Sequence, residues 1–358
     1  IGGLLSAYHL KSEPIFLQKA SEIAEMMLYA FDTDTGIPYG HLSLQEGRAD
    51  NPGWSGGSST VSEVLSIQLE FQYLSRLTNN PTYASVVNRV TQKVLSQKRP
   101  MNLLTQFINP RTGKFTSNVK TMGARIDSAY ETLLKQWIFS KRSDFMVRDA
   151  YYESMTAMKD HLVAHSTPNG YTYLFELHNT KPRKRMEILT CFVPGMLALG
   201  SLEVDNPNAA EHLQLAKEIV RTCFEFHRQT ATGLAAELVE FTAEGDFRVK
   251  NSEAQGKLRP ETIESLFILY RVTRDEIYRE MAWELFESMR SNARVESGGY
   301  ATVENVQSDP SEIQFVDKME GFFLSQTLKY LYLLFSETDI FPFDEYVFTT
   351  EAHAFPIN

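Results

Sequence analysis

The stretch SEVLSIQLEFQYLSRLT, Ser62–Thr78, followed by Asn79-Asn80-Pro81, decides the fold class. Val64, Leu65, Ile67, Leu69, Phe71, Leu74 and Leu77 put apolar groups on more than one side of a helix, as in a helix packed from two directions. Beyond the turn, Tyr83, Val86, Val87, Val90 and Val94 recur at intervals of three and four, which makes one buried stripe with a solvated back. A dense helix, a tight turn and a half-polar helix form a hairpin that cannot bury its apolar surface alone. The unit recurs. Leu74-Ser75-Arg76-Leu77-Thr78 with Tyr83 is echoed by Leu269-Tyr270-Arg271-Val272-Thr273 with Tyr278.

Working outward, turns fall near Ser12–Pro14, Asn79–Pro81, Arg142–Asp144, Asp205–Pro207, Arg274–Glu276 and Glu337–Asp339, about 60–70 residues apart. Glycine loops alternate with them at Gly36, Gly113, Gly170, Gly233 and Gly298-Gly299. Two interleaved series of this kind describe helix, tight turn, helix and long loop, repeated about six times. Repeats of about 65 residues favour a closed helical barrel of two rings over an open solenoid, whose repeats run nearer 34–47. The pattern gives six dense helices and five more polar partners. Ile1-Gly2-Gly3-Leu4-Leu5 reads as the middle of a helix, so helices upstream of Ile1 are expected to complete the ring. No Pro/Ser/Gly-rich linker divides the chain, which favours one repeat-built domain over residues 1–358.

The chain has 358 residues, is 43% hydrophobic and carries a net charge of −10. Its basic residues read as scattered, which argues against a nucleic-acid partner. No apolar run is long enough to span a membrane. Walker-type loops, dinucleotide fingerprints, nucleophile elbows and transition-metal spacings are absent. Two cysteines, Cys191 and Cys223, stand 32 residues apart, a spacing compatible with buried thiols or with a disulfide between neighbouring helices.

Carboxylates cluster where dense helices are expected to begin: Glu63, Asp127, Glu187, Glu261 with Glu264, and Glu320. Taken singly, each is explained by the preference of acids for helix N-termini. As a set they would line one end of the assembly and suit a divalent cation or a glycosidase pair. Arg125-Ile126-Asp127 and Arg259-Pro260-Glu261 each place an arginine two residues before the acid, where a cation is expected to hold the carboxylate ionised. Of the aromatics Trp54, Phe192, Phe322, Phe323 and Phe348, most suit the core, and one or two at the rim would form a sugar-stacking platform. In the polar tail Val347–His353, Thr350 could offer hydroxyl and carbonyl oxygens to a hard cation.

Together IGGLLSAYHL (1–10), Trp54–Leu77, GARIDSAYETLLKQW (123–137), CFVPGMLALG (191–200), LRPETIESLFILY (258–270), Asp317–Phe335 and VFTTEAH (347–353) resemble glycoside hydrolase family 47, the class I α-1,2-mannosidases of the secretory pathway. The resemblance spans nearly the whole chain. It implies an all-α (αα)7 barrel whose N-terminal helices are missing here, with a Ca2+ ion in the cavity. The implied activity is inverting hydrolysis of terminal α-1,2-linked mannose from high-mannose N-glycans, in the endoplasmic reticulum or Golgi lumen or after secretion. By the same resemblance Glu261 is the general base and Asp127 a second catalytic carboxylate. Thr350 coordinates calcium. Glu264, Glu351, Glu63, Glu320, Arg125 and Arg259 bind sugar or calcium-bound water, Phe322 stacks on the mannose ring, and Cys191 pairs with Cys223.

Three departures from the family pattern stand out. The family's acid glutamate lies in a helix just before the stretch matching Ile1, so an upstream segment would have to supply it. Ile188 stands where the family commonly has histidine, and Gln326 replaces the glutamate of the FFLxET segment. These departures leave open a non-catalytic homologue that binds high-mannose glycans.

Overall fold

Five helical hairpins and a sixth inner helix follow one another along the chain, and the computed structural model describes them over all residues, Ile1–Asn358. The pairs are α1 (Gly2–Lys11) with α2 (Pro14–Met27), α4 (Gln68–Thr78) with α5 (Pro81–Leu95), α6 (Asp127–Phe139) with α7 (Phe145–Leu162), α8 (Val193–Gly200) with α9 (Ala209–Arg228), and α10 (Glu261–Thr273) with α11 (Ile277–Asn292). A short α3 (Val61–Leu65) precedes α4, and α12 (Leu328–Phe335) ends the series. The turns share a device. Ser12, Asn79 and Arg274 adopt left-handed backbone after α1, α4 and α10, and Pro14 and Pro81 open the next helix, where a missing N–H costs nothing.

The six dense and five polar helices of the sequence pattern are all present. Every residue of α8 is buried, and nearly every residue of α6, whereas α2 buries only Ala20 and Ala24. Inner helices α1, α4, α6, α8, α10 and α12 pack in that order, each on the next, with their polar partners outside. The succession stops at α12, which shares no packing face with α1, so the units form an open arc of the expected ring. One apolar cluster runs through it from Leu5 to Ile357.

A C-terminal β-hairpin, Tyr346–Phe348 with Ala354–Pro356, fills the concave side of the arc. Its first strand lies on α6 and its second on α1, and Phe355 packs its ring 4.6 Å from that of Tyr73. The loop between its strands carries Thr350 to the end of the arc where α6 and α10 begin.

Three details differ from the sequence reading. The expected single helix over Ser62–Thr78 is interrupted at Ser66-Ile67. Glu187 does not open a helix; it ends the strand Arg185–Glu187, which pairs with Leu238–Phe241 and leads into a 3₁₀ turn. Ahead of α12, residues Phe323–Thr327 form a π-helical turn, a wider winding found often at functional sites. Cys191 and Cys223 are disulfide-bonded, joining the turn before α8 to α9.

Candidate active site

Segments far apart in sequence meet at the end of the arc that holds these helix N-termini. Asp127, Ser128 and Glu131 come from α6, Glu261 and Glu264 from α10, and Phe322 and Gln326 from the π turn. Thr350 and Glu351 come from the hairpin loop, and Leu189, Phe192, Arg259 and Pro260 complete the wall of a cavity of about 210 Å³. Asp127 and Glu261 reach it because a helix begins at each, so their carboxylates lie near unpaired backbone N–H groups. Around the cavity, non-glycine residues adopt left-handed backbone: Leu258 (φ 59°) before Arg259 and Ala352 (φ 59°) after Glu351, with Arg125 (φ 71°) two residues before Asp127. Such conformations are uncommon outside glycine and gather at sites where the surrounding structure dictates them.

The cavity is strongly acidic, and burial governs its protonation. Burial pushes Asp127 up to about 7, against a hydrogen bond from the Ser128 N–H at 2.8 Å and with Glu187 and Glu131 adding repulsion. Burial pushes Glu261 up to about 8, with Arg259 the main opposing influence. The expectation that a neighbouring arginine keeps each acid ionised is therefore corrected: loss of hydration outweighs the cation at both positions. One oxygen of Glu261, Oε2, has no hydrogen-bond partner in the protein.

Below the cavity floor Lys135 binds the Glu131 carboxylate, lies 3.7 Å from Glu264 and donates to the Thr349 carbonyl at 3.3 Å. Burial alone would lower its pKa, but Glu131, Glu264 and Glu70 together raise it, so it stays charged. Glu264 also accepts a hydrogen bond from Tyr330 at 3.0 Å, and burial and Glu131 raise its pKa. Glu70 is buried, pushed up to about 7 by desolvation, and has an unpartnered Oε2. Gln326 donates to Glu351 at 2.7 Å.

The structure does not bring every expected residue into the wall. Glu63 lies outside it, with its carboxylate accepting from the Thr60 hydroxyl at 2.6 Å. Glu320 pairs with Lys318 at 2.9 Å and reaches the site only through its field on Arg259. Arg125 is exposed and lies over the rings of Trp54 (5.2 Å) and Phe107 (5.8 Å), forming a rim platform. Arg259 lines the cavity, with its guanidinium 5.3 Å from the Phe322 ring and Nη2 2.6 Å from Glu237. Sequence reading missed Glu131 and Lys135, although both follow Asp127 at the i+4 and i+8 spacing that keeps residues on one helix face. Glu237 carried no local signal at all.

Thr350 has neither its hydroxyl nor its carbonyl engaged in a hydrogen bond within the protein. No three His, Cys, Asp or Glu side chains converge closely enough to chelate a metal directly. Two free hard oxygens amid carboxylates therefore fit a hard divalent cation that keeps most of its waters.

The glycosyl hydrolase family 47 profile matches residues 1–357. The chain is 44% identical over 366 residues to the endoplasmic reticulum mannosyl-oligosaccharide 1,2-alpha-mannosidase of Homo sapiens, covering 100% of this chain and 52% of that protein. It is 41% identical over 360 residues to the mannosyl-oligosaccharide 1,2-alpha-mannosidase MNS1 of Arabidopsis thaliana, covering 100% of this chain and 63% of that one. The chain thus spans between about half and two thirds of the length of these relatives. Its fold is similar to that of the alpha-1,2-mannosidase from Trichoderma reesei, with a TM-score of 0.91 and 27% identity over 100% of this chain and 80% of that one.

Proposed function

The chain belongs to glycosyl hydrolase family 47, and from that premise we propose that it is a calcium-dependent, inverting α-1,2-mannosidase that trims terminal mannose from high-mannose N-glycans in the secretory pathway. The observation that carries this reading is the meeting of Asp127, Glu261, Glu264, Arg259, Phe322 and Thr350 in one cavity. Glu261 takes the proton of the attacking water; its unpartnered Oε2 leaves one oxygen free for that contact. Asp127, with its pKa near neutrality, holds or releases a proton on the same cavity wall. Inversion needs base and acid on opposite faces of the sugar, roughly 6.5–9.5 Å apart, so that a water fits between. By the family resemblance, the proton donor to the leaving sugar is a further glutamate that is not among residues 1–358.

Thr350 would hold the calcium ion through its two free oxygens, with Glu264 and Glu351 accepting from its waters. When bound, a hard cation there grips vicinal sugar hydroxyls and helps hold a distorted ring. Arg259, locked by Glu237, orients the acids, and Phe322 stacks on the sugar. Gln326, hydrogen-bonded to Glu351, leaves this site one negative charge short of the family pattern, which should weaken calcium binding.

The test is mass-spectrometric analysis of a nine-mannose N-glycan incubated with the protein, with and without EDTA. Mannose loss that EDTA abolishes is the expected result. Unchanged glycan under both conditions, with binding retained, would make the protein a glycan-binding homologue instead.

A further inference from the structure

The basic residues are less scattered than they read: Lys181, Arg183, Lys184 and Arg185 already stand within five residues, and folding brings Arg248 and Lys250 beside them. Arg183, Lys184 and Arg185, with Arg248 from the strand Phe247–Val249 and Lys250 just after it, line a concave depression of about 460 Å³, and Lys181, two residues before Arg183, adds a sixth cation outside the lining. Two carboxylates accompany these six cations: Glu176 pairs with Arg185 at 2.9 Å, and Glu240 with Arg248 at 3.3 Å and with Lys250. The patch therefore carries about +4 on a chain of net charge −10, so the rest of the molecule carries about −14. Lys181, Arg183 and Lys184 are exposed and make no ion pair.

Charged residues on edge strands discourage sheet-to-sheet association, and these strands are edges. Edge protection, however, needs neither charges of one sign nor their convergence on a cavity. Pro182 lacks a backbone N–H, so this edge cannot take a full added strand and must bind through side chains. The depression and the catalytic cavity share no lining residue, but one strand leads from the first towards the second. Arg185 and Glu187 lie two residues apart on one strand, about 7 Å, and Glu187 accepts the Ala124 N–H at 2.6 Å and repels Asp127.

We propose that this depression binds the phosphate of a phosphorylated sugar carried beside the catalytic cavity. A glycan of neutral sugars gives a cation cluster nothing to bind. A single carboxylate would neutralise only one of these charges, whereas a phosphate monoester carries close to two charges on one centre. Arginine forks match its oxygens in pairs. The proposal stands apart from mannose release: the binding site can exist on an inactive protein, and mannose release can proceed without it.

Isothermal titration at low salt tests it with mannose 6-phosphate, inorganic phosphate, mannose and a glutamate-rich peptide, all in EDTA to silence calcium-dependent binding. Mannose 6-phosphate should bind and mannose should not. The Arg183→Ala/Lys184→Ala double variant should weaken mannose 6-phosphate at least tenfold, because each charge-assisted hydrogen bond lost costs about that much. Lys11→Ala, an exposed lysine on α1, should leave it unchanged. Unaltered affinity in the double variant would overturn the site. Equal binding of inorganic phosphate would overturn the sugar part, and tighter binding of the peptide would assign the patch to an acidic protein surface.

Discussion

Two helix starts in this protein carry the same local pattern, an arginine two residues before an acid, and the fold treats them differently. At Arg259-Pro260-Glu261 the arginine turns inward, is gripped through Nε and Nη2 by Glu237, and is the main influence opposing protonation of Glu261. At Arg125-Ile126-Asp127 the arginine turns outward onto Trp54 and Phe107, and the cation that Asp127 feels is Arg259. What separates them is a partner distant in sequence. Glu237 waits for one arginine; an aromatic pair at the rim waits for the other. Spacing along the chain placed both acids, but not their counter-ions.

The sharpest test of this difference is at the acids. Glu261→Gln should lower mannose release roughly 10²–10⁴-fold, the range for a lost general base, with glycan affinity kept within a few fold. Asp127→Asn should also abolish most turnover, and an active variant of either would remove that residue from the mechanism.

A milder perturbation separates the arginines themselves. Arg259 favours the ionised form of Glu261, so Arg259→Met should raise that pKa further. The base is active only when deprotonated, so the acid limb of the pH–rate profile should move to higher pH. At neutral pH kcat/KM should fall roughly tenfold or more. Arg125→Met should leave the limb in place and alter KM a few fold by loosening the rim platform. Equal shifts from both variants would show that the arginines act alike.

The smallest effect concerns the backbone before each acid. A Cβ on Gly123 would stand 2.3 Å from Glu187 Oε2, whereas the equivalent position before Glu261 is Lys257. Gly123→Ala should displace Glu187 from the Ala124 N–H and cost about 1–3 kcal/mol, read from the denaturant midpoint. An unchanged midpoint would mean that Glu187 is free to move.

Much of the architecture was legible because helical periodicity and turn residues are local signals. Leu74 and Tyr83 fall on buried faces as the spacing predicts, and Asn79 turns where Asn-Asn-Pro says it should. The exceptions are where packing overrules local preference. The break at Ser66-Ile67 and the π winding over Phe323–Thr327 have no clear periodic signature. In the site, helix starts and the polar tail pointed to Asp127, Glu261 and Thr350, family resemblance supplied their roles, and the fold brings the three to one cavity. Glu237, which fixes Arg259, is a long-range choice that no window of sequence contains; Lys135 stood within reach of Asp127 and Glu131 on one helix face, and only its approach to Glu264 depends on the fold. The protonation of the acids was misread because burial depends on neighbours that only the folded chain supplies.

The β-hairpin over residues 346–356 carries a consequence for biosynthesis. It closes the concave face and delivers Thr350 to a cavity whose α6 and α10 walls were translated well before it, Asp127 more than two hundred residues earlier. A ribosome-bound chain can pair its early helices, yet the cavity has no floor until this hairpin emerges. A nascent chain halted before Tyr346 would thus carry all of its assigned carboxylates but one, Glu351, and no place for a sugar to sit.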